Sequence, residues 1–83
     1  MSRLEQLSAF LQDSPNDPFL HYAIAQEYQK LGLLDIALEK YLWLTEHQPA
    51  YVATYYHLGK LLIAQGKKEA ALAWFNQGIE QAK

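Results

Sequence analysis

The residues of this chain best able to bind a metal or move a proton are its three histidines, His21, His47 and His57. A metal site on a helix needs ligands about one turn apart on one face, with further ligands close by. No two of these histidines stand at that spacing. His21 reads instead as a core substitute for an aromatic ring. Gly59-Lys60 and Gly66-Lys67 are the raw material of a phosphate-binding loop. Their spacing is wrong for one, no Ser or Thr follows either lysine, and no strand-like stretch precedes them. There is no cysteine to act as a nucleophile and no Gly-x-Ser-x-Gly turn to present a serine. The carboxylates are scattered over solvent-facing positions. This pattern predicts no enzyme, no cofactor and no metal.

The elements that carry these residues belong to one domain of 83 residues. A chain of this length buries roughly 60–65% of its unfolded surface, so its core is modest. Without cysteine, no disulfide or thiolate metal site supplements that core. The net charge is −2, with both signs interspersed along the chain. Nothing in that balance attracts polyphosphate, so nucleic acid is not an expected partner. No stretch approaches the ~18 consecutive apolar residues of a membrane span. Glu5 and Gln6 fall where a signal peptide needs its apolar segment. A soluble cytoplasmic protein is the expectation. Six tyrosines among the aromatics are many for so small a domain, and some must lie at the surface.

Five helices are predicted, and no strand, because no segment alternates with period two. Ser2 and Glu5 have capping-box spacing for a first helix from Arg3, with Leu4, Leu7 and Leu11 on one face. It ends by Ser14, ahead of Pro15. Asp17 caps a second helix over 18–31, with Pro18 at its first position and Leu20, His21, Ile24, Tyr28 and Leu31 inward. Gly32 terminates it. Asp35 is the expected cap of a third helix reaching His47, with Ala37, Leu38, Tyr41 and Leu44 inward, and Pro49 closes that unit. A fourth helix follows Tyr51 and Val52 to about Gln65, with Tyr55, Leu58, Gly59 and Leu62 inward. Gly66 breaks it, and a fifth spans 68–82, burying Ala71, Leu72, Phe75, Gly78 and Ile79.

Laying residues 18–49 over 52–83 reveals a repeat of 34 residues. Tyr22/Tyr56, Gly32/Gly66, Ala37/Ala71, Leu38/Leu72 and Glu46/Glu80 are identical. His21/Tyr55, Ile24/Leu58, Ala25/Gly59 and Tyr41/Phe75 agree in size or character. Small residues at Ala25/Gly59 and Ala37/Ala71 let two antiparallel helices approach, and the aromatics Tyr41/Phe75 fill the space beside them. Such a pair cannot bury its apolar face alone, so neighbouring pairs stack. In period and in these positions the chain resembles the tetratricopeptide repeat family. Pro15 lies 34 residues before Pro49, so residues 1–15 read as the second half of an earlier unit. The resemblance implies an all-α right-handed solenoid: one half repeat (1–15) and two full repeats (18–49 and 52–83). His21 stands where the family usually has tryptophan and Leu62 where it has tyrosine, and no polar capping helix follows the second repeat.

The resemblance also implies a binding surface, since these proteins generally take a peptide or helix of a partner on the concave face. That face corresponds to Phe19, Tyr22, Gln26, Gln29 and Lys30 in the first repeat and Ala53, Tyr56, Lys60, Ile63 and Ala64 in the second. The helical wheel places the same residues away from the side that packs on the following helix. Tyr22 and Tyr56 are expected side by side, as groove residues or as covers of a helix seam. Some family members clamp a C-terminal carboxylate with lysine and asparagine. Here Tyr22 and Gln26 stand at those positions in the first repeat, and Tyr56 and Lys60 in the second. Ile36, Trp43 and Trp74 form a second apolar stripe on the convex side. They either fold over their neighbours or, with the uncapped last helix, support a homodimer. Glu27 reads as a solvated rim residue, or as one that snorkels or pairs with a lysine.

Overall fold

The computed structural model describes residues 2–83; Met1, the first residue of the expected half repeat, lies outside them. Five α-helices follow one another: α1 Arg3–Asp13, α2 Pro18–Lys30, α3 Leu34–His47, α4 Ala53–Ala64 and α5 Lys68–Ala82. Each packs chiefly on its neighbours in sequence, as stacked helix hairpins do. The result is a slab of 37 × 28 × 13 Å. Among the described residues no helix is long and apolar enough to cross a membrane.

Local sequence sets the helix ends. The Ser2 hydroxyl accepts the Glu5 N–H at 3.1 Å and donates to the Glu5 carboxylate at 3.2 Å. The Asp17 carboxylate accepts the Phe19 N–H at 2.9 Å, with Pro18 at the first helical position. Gly32 and Gly66 take φ of 80° and 78°. At the first, Leu33 N–H bonds Tyr28 C=O and Gly32 N–H bonds Gln29 C=O, both at 3.0 Å. At the second, Lys67 N–H bonds Leu62 C=O at 2.8 Å and Gly66 N–H bonds Ile63 C=O at 2.9 Å. Both ends are complete Schellman motifs, which need a residue tolerant of positive φ at that place. The other turn also recurs: Ser14 (φ −136°, ψ 67°) and Gln48 (φ −134°, ψ 60°) leave α1 and α3 with the same geometry, each followed by proline.

Two expectations for helix ends and faces are corrected. Asp35 does not cap α3: the cap position is Leu33, two residues earlier, and no side chain caps it. Asp35 instead lies in the first turn, where its charge faces the positive end of the helix dipole. Glu69 holds the same place in α5. Leu31, expected inward, is 63% exposed, because the turn at Gly32 carries it past the end of the neighbouring helix face.

The main core joins both repeats. Ala25, Ala37, Tyr41, Leu44, Leu58, Leu61, Leu62 and Ala71 form one buried cluster, flanked by Tyr22, Tyr28, Phe75 and both tryptophans. A smaller cluster of Leu7, Leu20, Ala23 and Ile24 seats α1 on α2. Gly59 is needed for contact: a Cβ there would collide with the Phe75 ring. Leu72 and Ile79, expected to be buried on α5, are 51% and 57% exposed. They lie on the side of α5 where another helix would stack, and the described chain supplies none.

Candidate partner-binding surface

α2 and α4 present the residues expected on the concave face. None of them is buried. The centre of the surface is a side chain to which the sequence reading assigned no role, His57 on α4. Its Nε2 lies 2.7 Å from the Tyr22 hydroxyl on α2, and the Gln26 side-chain amide donates to the same hydroxyl at 3.1 Å. Burial, aided by the Lys60 ammonium, holds the His57 pKa below its ordinary value. Neutral His57 therefore accepts the Tyr22 hydroxyl proton, while Tyr22 accepts from Gln26. Burial, with Tyr51 nearby, pushes the Tyr22 phenol up, so it stays a donor. One repeat earlier, His57 corresponds to the buried Ala23. A histidine replacing an alanine between otherwise similar repeats was the available signal.

His57 also separates the two tyrosines. Its ring lies 5.1 Å from Tyr22 and 5.3 Å from Tyr56, edge-on to both. The expected side-by-side pair is thus a ladder with an imidazole between the phenols. Tyr22 is half-buried and further enclosed by Tyr51 at 5.7 Å and Phe19 at 6.3 Å. Tyr56 is 56% exposed, and the Lys60 ammonium lies over its ring at 5.3 Å.

Gln26, Gln29, Lys30, His57 and Lys60 line a shallow recess of about 270 Å³ between α2 and α4. Gln29 is fixed there by the Tyr41 hydroxyl, which donates to its side-chain oxygen at 3.1 Å. Lys30 is less free than its exposure implies. Its ammonium lies 3.2 Å from the Glu27 carboxylate, which Arg3 of α1 also approaches at 3.5 Å. Glu27, only 15% exposed, thus ties α1 to α2 rather than standing solvated at the rim. Lys60 forms no ion pair among the described residues and lies over the Tyr56 ring. Ala53 begins α4 and Ile63 and Ala64 end it, all exposed. The structure groups the remaining expected residues around His57 and leaves these three as the ends of the strip.

No family model and no curated protein matches the chain. Solved structures do. A solution NMR structure of a tetratricopeptide repeat domain protein from Salinibacter ruber is 46% identical with a TM-score of 0.79. That match covers 82% of this chain and 69% of the other. A crystal structure of the tetratricopeptide repeat domain protein from the same organism is 45% identical with a TM-score of 0.75, covering 80% and 73%. The chain belongs to the tetratricopeptide repeat family. Tetratricopeptide repeat domains are typically non-catalytic scaffolds, and this fold points to a protein-interaction module.

The side expected to be convex is less open than its composition implies. Trp43 is stacked between two histidines, His21 at 4.1 Å and His47 at 4.3 Å. His21 is anchored in turn by a 2.7 Å hydrogen bond between its Nε2 and the Pro15 carbonyl. Trp74 packs near Tyr55 at 6.2 Å. Both indoles are half-buried against the main core, and Ile36 is at the margin of exposure.

Proposed function

We propose that the concave face of α2 and α4 binds an extended or helical segment of a partner protein, without chemistry. The observation that supports this most is the contrast around His57. Tyr22, Gln26 and His57 satisfy one another, so the floor is preorganised. Tyr56 and Lys60 beside them remain exposed, an aromatic face with a cation laid over it that forms no ion pair among the described residues. Tyrosine offers large contact area and a hydroxyl at low entropic cost. The open cation favours segments that carry acidic side chains, as a steering effect more than as a source of affinity. The recess is too shallow and wet to isolate a reaction from water, which agrees with a scaffold.

The test is affinity capture with wild type and with Tyr56→Ala/Lys60→Ala. Both side chains are exposed, so helix content is expected to be unchanged. The proposal predicts loss of the captured protein from the variant. An identical captured set would remove the concave face from consideration.

A further inference from the structure

An uncovered apolar surface lies on the second repeat, between α4 and α5. Val52 at the cap position of α4, Tyr56 of α4, and Phe75, Ile79 and Ala82 of α5 line a groove of about 330 Å³ that is almost wholly apolar. Leu72, 51% exposed, extends it along α5. In the first repeat the corresponding face of α2 and α3 is covered by α4. That face is therefore built to receive a helix, and the chain demonstrates the fit once internally.

The residues that α5 turns toward this groove, Leu72 and Ile79 exposed and Phe75 half-buried, show which helix fits. Leu72, Phe75, Ile79 and Ala82 follow a three-four-three spacing, the seam of a helix that pairs with another helix of the same kind. The seam reads the same from either end. Two α5 helices run antiparallel about a two-fold axis set Leu72 against Ala82 of the second copy and Phe75 against Ile79 of the second copy. Large then meets small at both ends, and an aromatic meets a β-branched side chain twice. The flanking charges agree with this register: Glu69 comes beside Lys83 of the second copy, twice by symmetry. The Lys83 ammonium makes an exposed contact with Glu80 at 3.2 Å. A net charge of −2 per chain adds little repulsion. The arrangement is closed, because each copy offers and covers the same patch, whereas head-to-tail stacking would propagate.

We propose that the open α4–α5 face is filled by a second copy of this chain, with two α5 helices packed antiparallel about a two-fold axis. This pairing does not depend on the concave-face reading. Tyr56 borders both surfaces, so the variants that test the pairing are placed elsewhere.

The experiment is solution mass by light scattering and sedimentation over micromolar to millimolar concentration. Wild type shifts from one chain to two as concentration rises, and goes no further. Ile79→Glu and, separately, Leu72→Glu each weaken pairing by roughly a hundredfold, because the change occurs twice per dimer. Helix content at low concentration is unchanged, since both side chains are exposed. Glu69→Lys weakens pairing about threefold to tenfold, and Glu69→Lys/Lys83→Glu restores it. A single chain at every concentration, growth beyond two chains, pairing that survives both glutamate variants, or failure of the charge swap to restore it would overturn the proposal. A wild type that stays monomeric yet binds an isolated amphipathic helix in this groove would assign the face to a different partner.

Discussion

Leu38 and Leu72 are the same residue at the same place in two copies of one unit, yet the first is packed against the core and the second is half in water. Tyr22 and Tyr56 repeat the contrast. The first is enclosed and hydrogen-bonded to His57, and the second is exposed beneath Lys60. Tyr41 is wholly buried, while its counterpart Phe75 lines an open groove. One cause accounts for all three. The first repeat is followed by α4, and the second is followed by no helix of the described chain. In a stacked-hairpin fold, burial belongs to the junction between units rather than to the side chain. The same comparison separates residues that hold the domain together from residues available to a partner.

The widest difference is expected for the aromatic pair. Tyr41→Ala should cost about 4 kcal/mol, enough to unfold most of so small a domain, while Phe75→Ala should cost about half as much. Urea unfolding of the two variants at low concentration checks this, and equal midpoint shifts would break the comparison. Next come the turn glycines, where the repeats should not differ. Gly32→Val and Gly66→Val each force a β-branched residue to positive φ and should each cost about 2 kcal/mol. Melting temperatures that fall together show that helix termination is local; a large inequality would show that it too depends on stacking.

Smaller effects concern the tyrosine hydroxyls. Tyr22→Phe leaves His57 and Gln26 short of a partner and should cost about 1 kcal/mol. Tyr56→Phe should be neutral within about 0.5 kcal/mol. The smallest effect is a pH dependence. The folded pKa of His57 lies below its unfolded value of about 6.5, so the unfolded chain binds more protons in the interval between the two. The contribution of neutral His57 is fully present above the unfolded pKa and is lost as pH falls through the folded one. Melting curves of wild type and His57→Gln between pH 7.5 and 5 should converge as pH falls. Curves that stay parallel would remove His57 from the titrating groups.

The sequence made local features legible. Glycines at 32 and 66, prolines at 15, 18 and 49, and a cap at Asp17 each act within one helical turn, and the helices begin and end where those residues direct. The period of 34 then disclosed the stacked architecture and the family. What the sequence did not disclose depends on partners distant along the chain. Leu72 and Ile79 satisfied the same apolar pattern as Leu38, and only the position of α4 separates them. Asp35 had the chemistry of a cap, but the Schellman turn before it moves the cap position two residues earlier, to Leu33. The pairing of Glu27 with Lys30 on its own helix is legible from their spacing, whereas its second partner, Arg3, lies on another helix. For His57 the informative signal is not metal spacing but its exchange with Ala23 between repeats.

The measurement that bears most directly on this division is a pair of single substitutions, Tyr22→Ala and Tyr56→Ala, each read for stability and for partner capture. The account predicts that Tyr22→Ala lowers the unfolding midpoint substantially, because it removes a ring from the α2–α4 junction. It predicts that Tyr56→Ala leaves the midpoint nearly unchanged and loses the captured partner. A Tyr56→Ala protein that keeps its partner, or two variants equally destabilised, would contradict it.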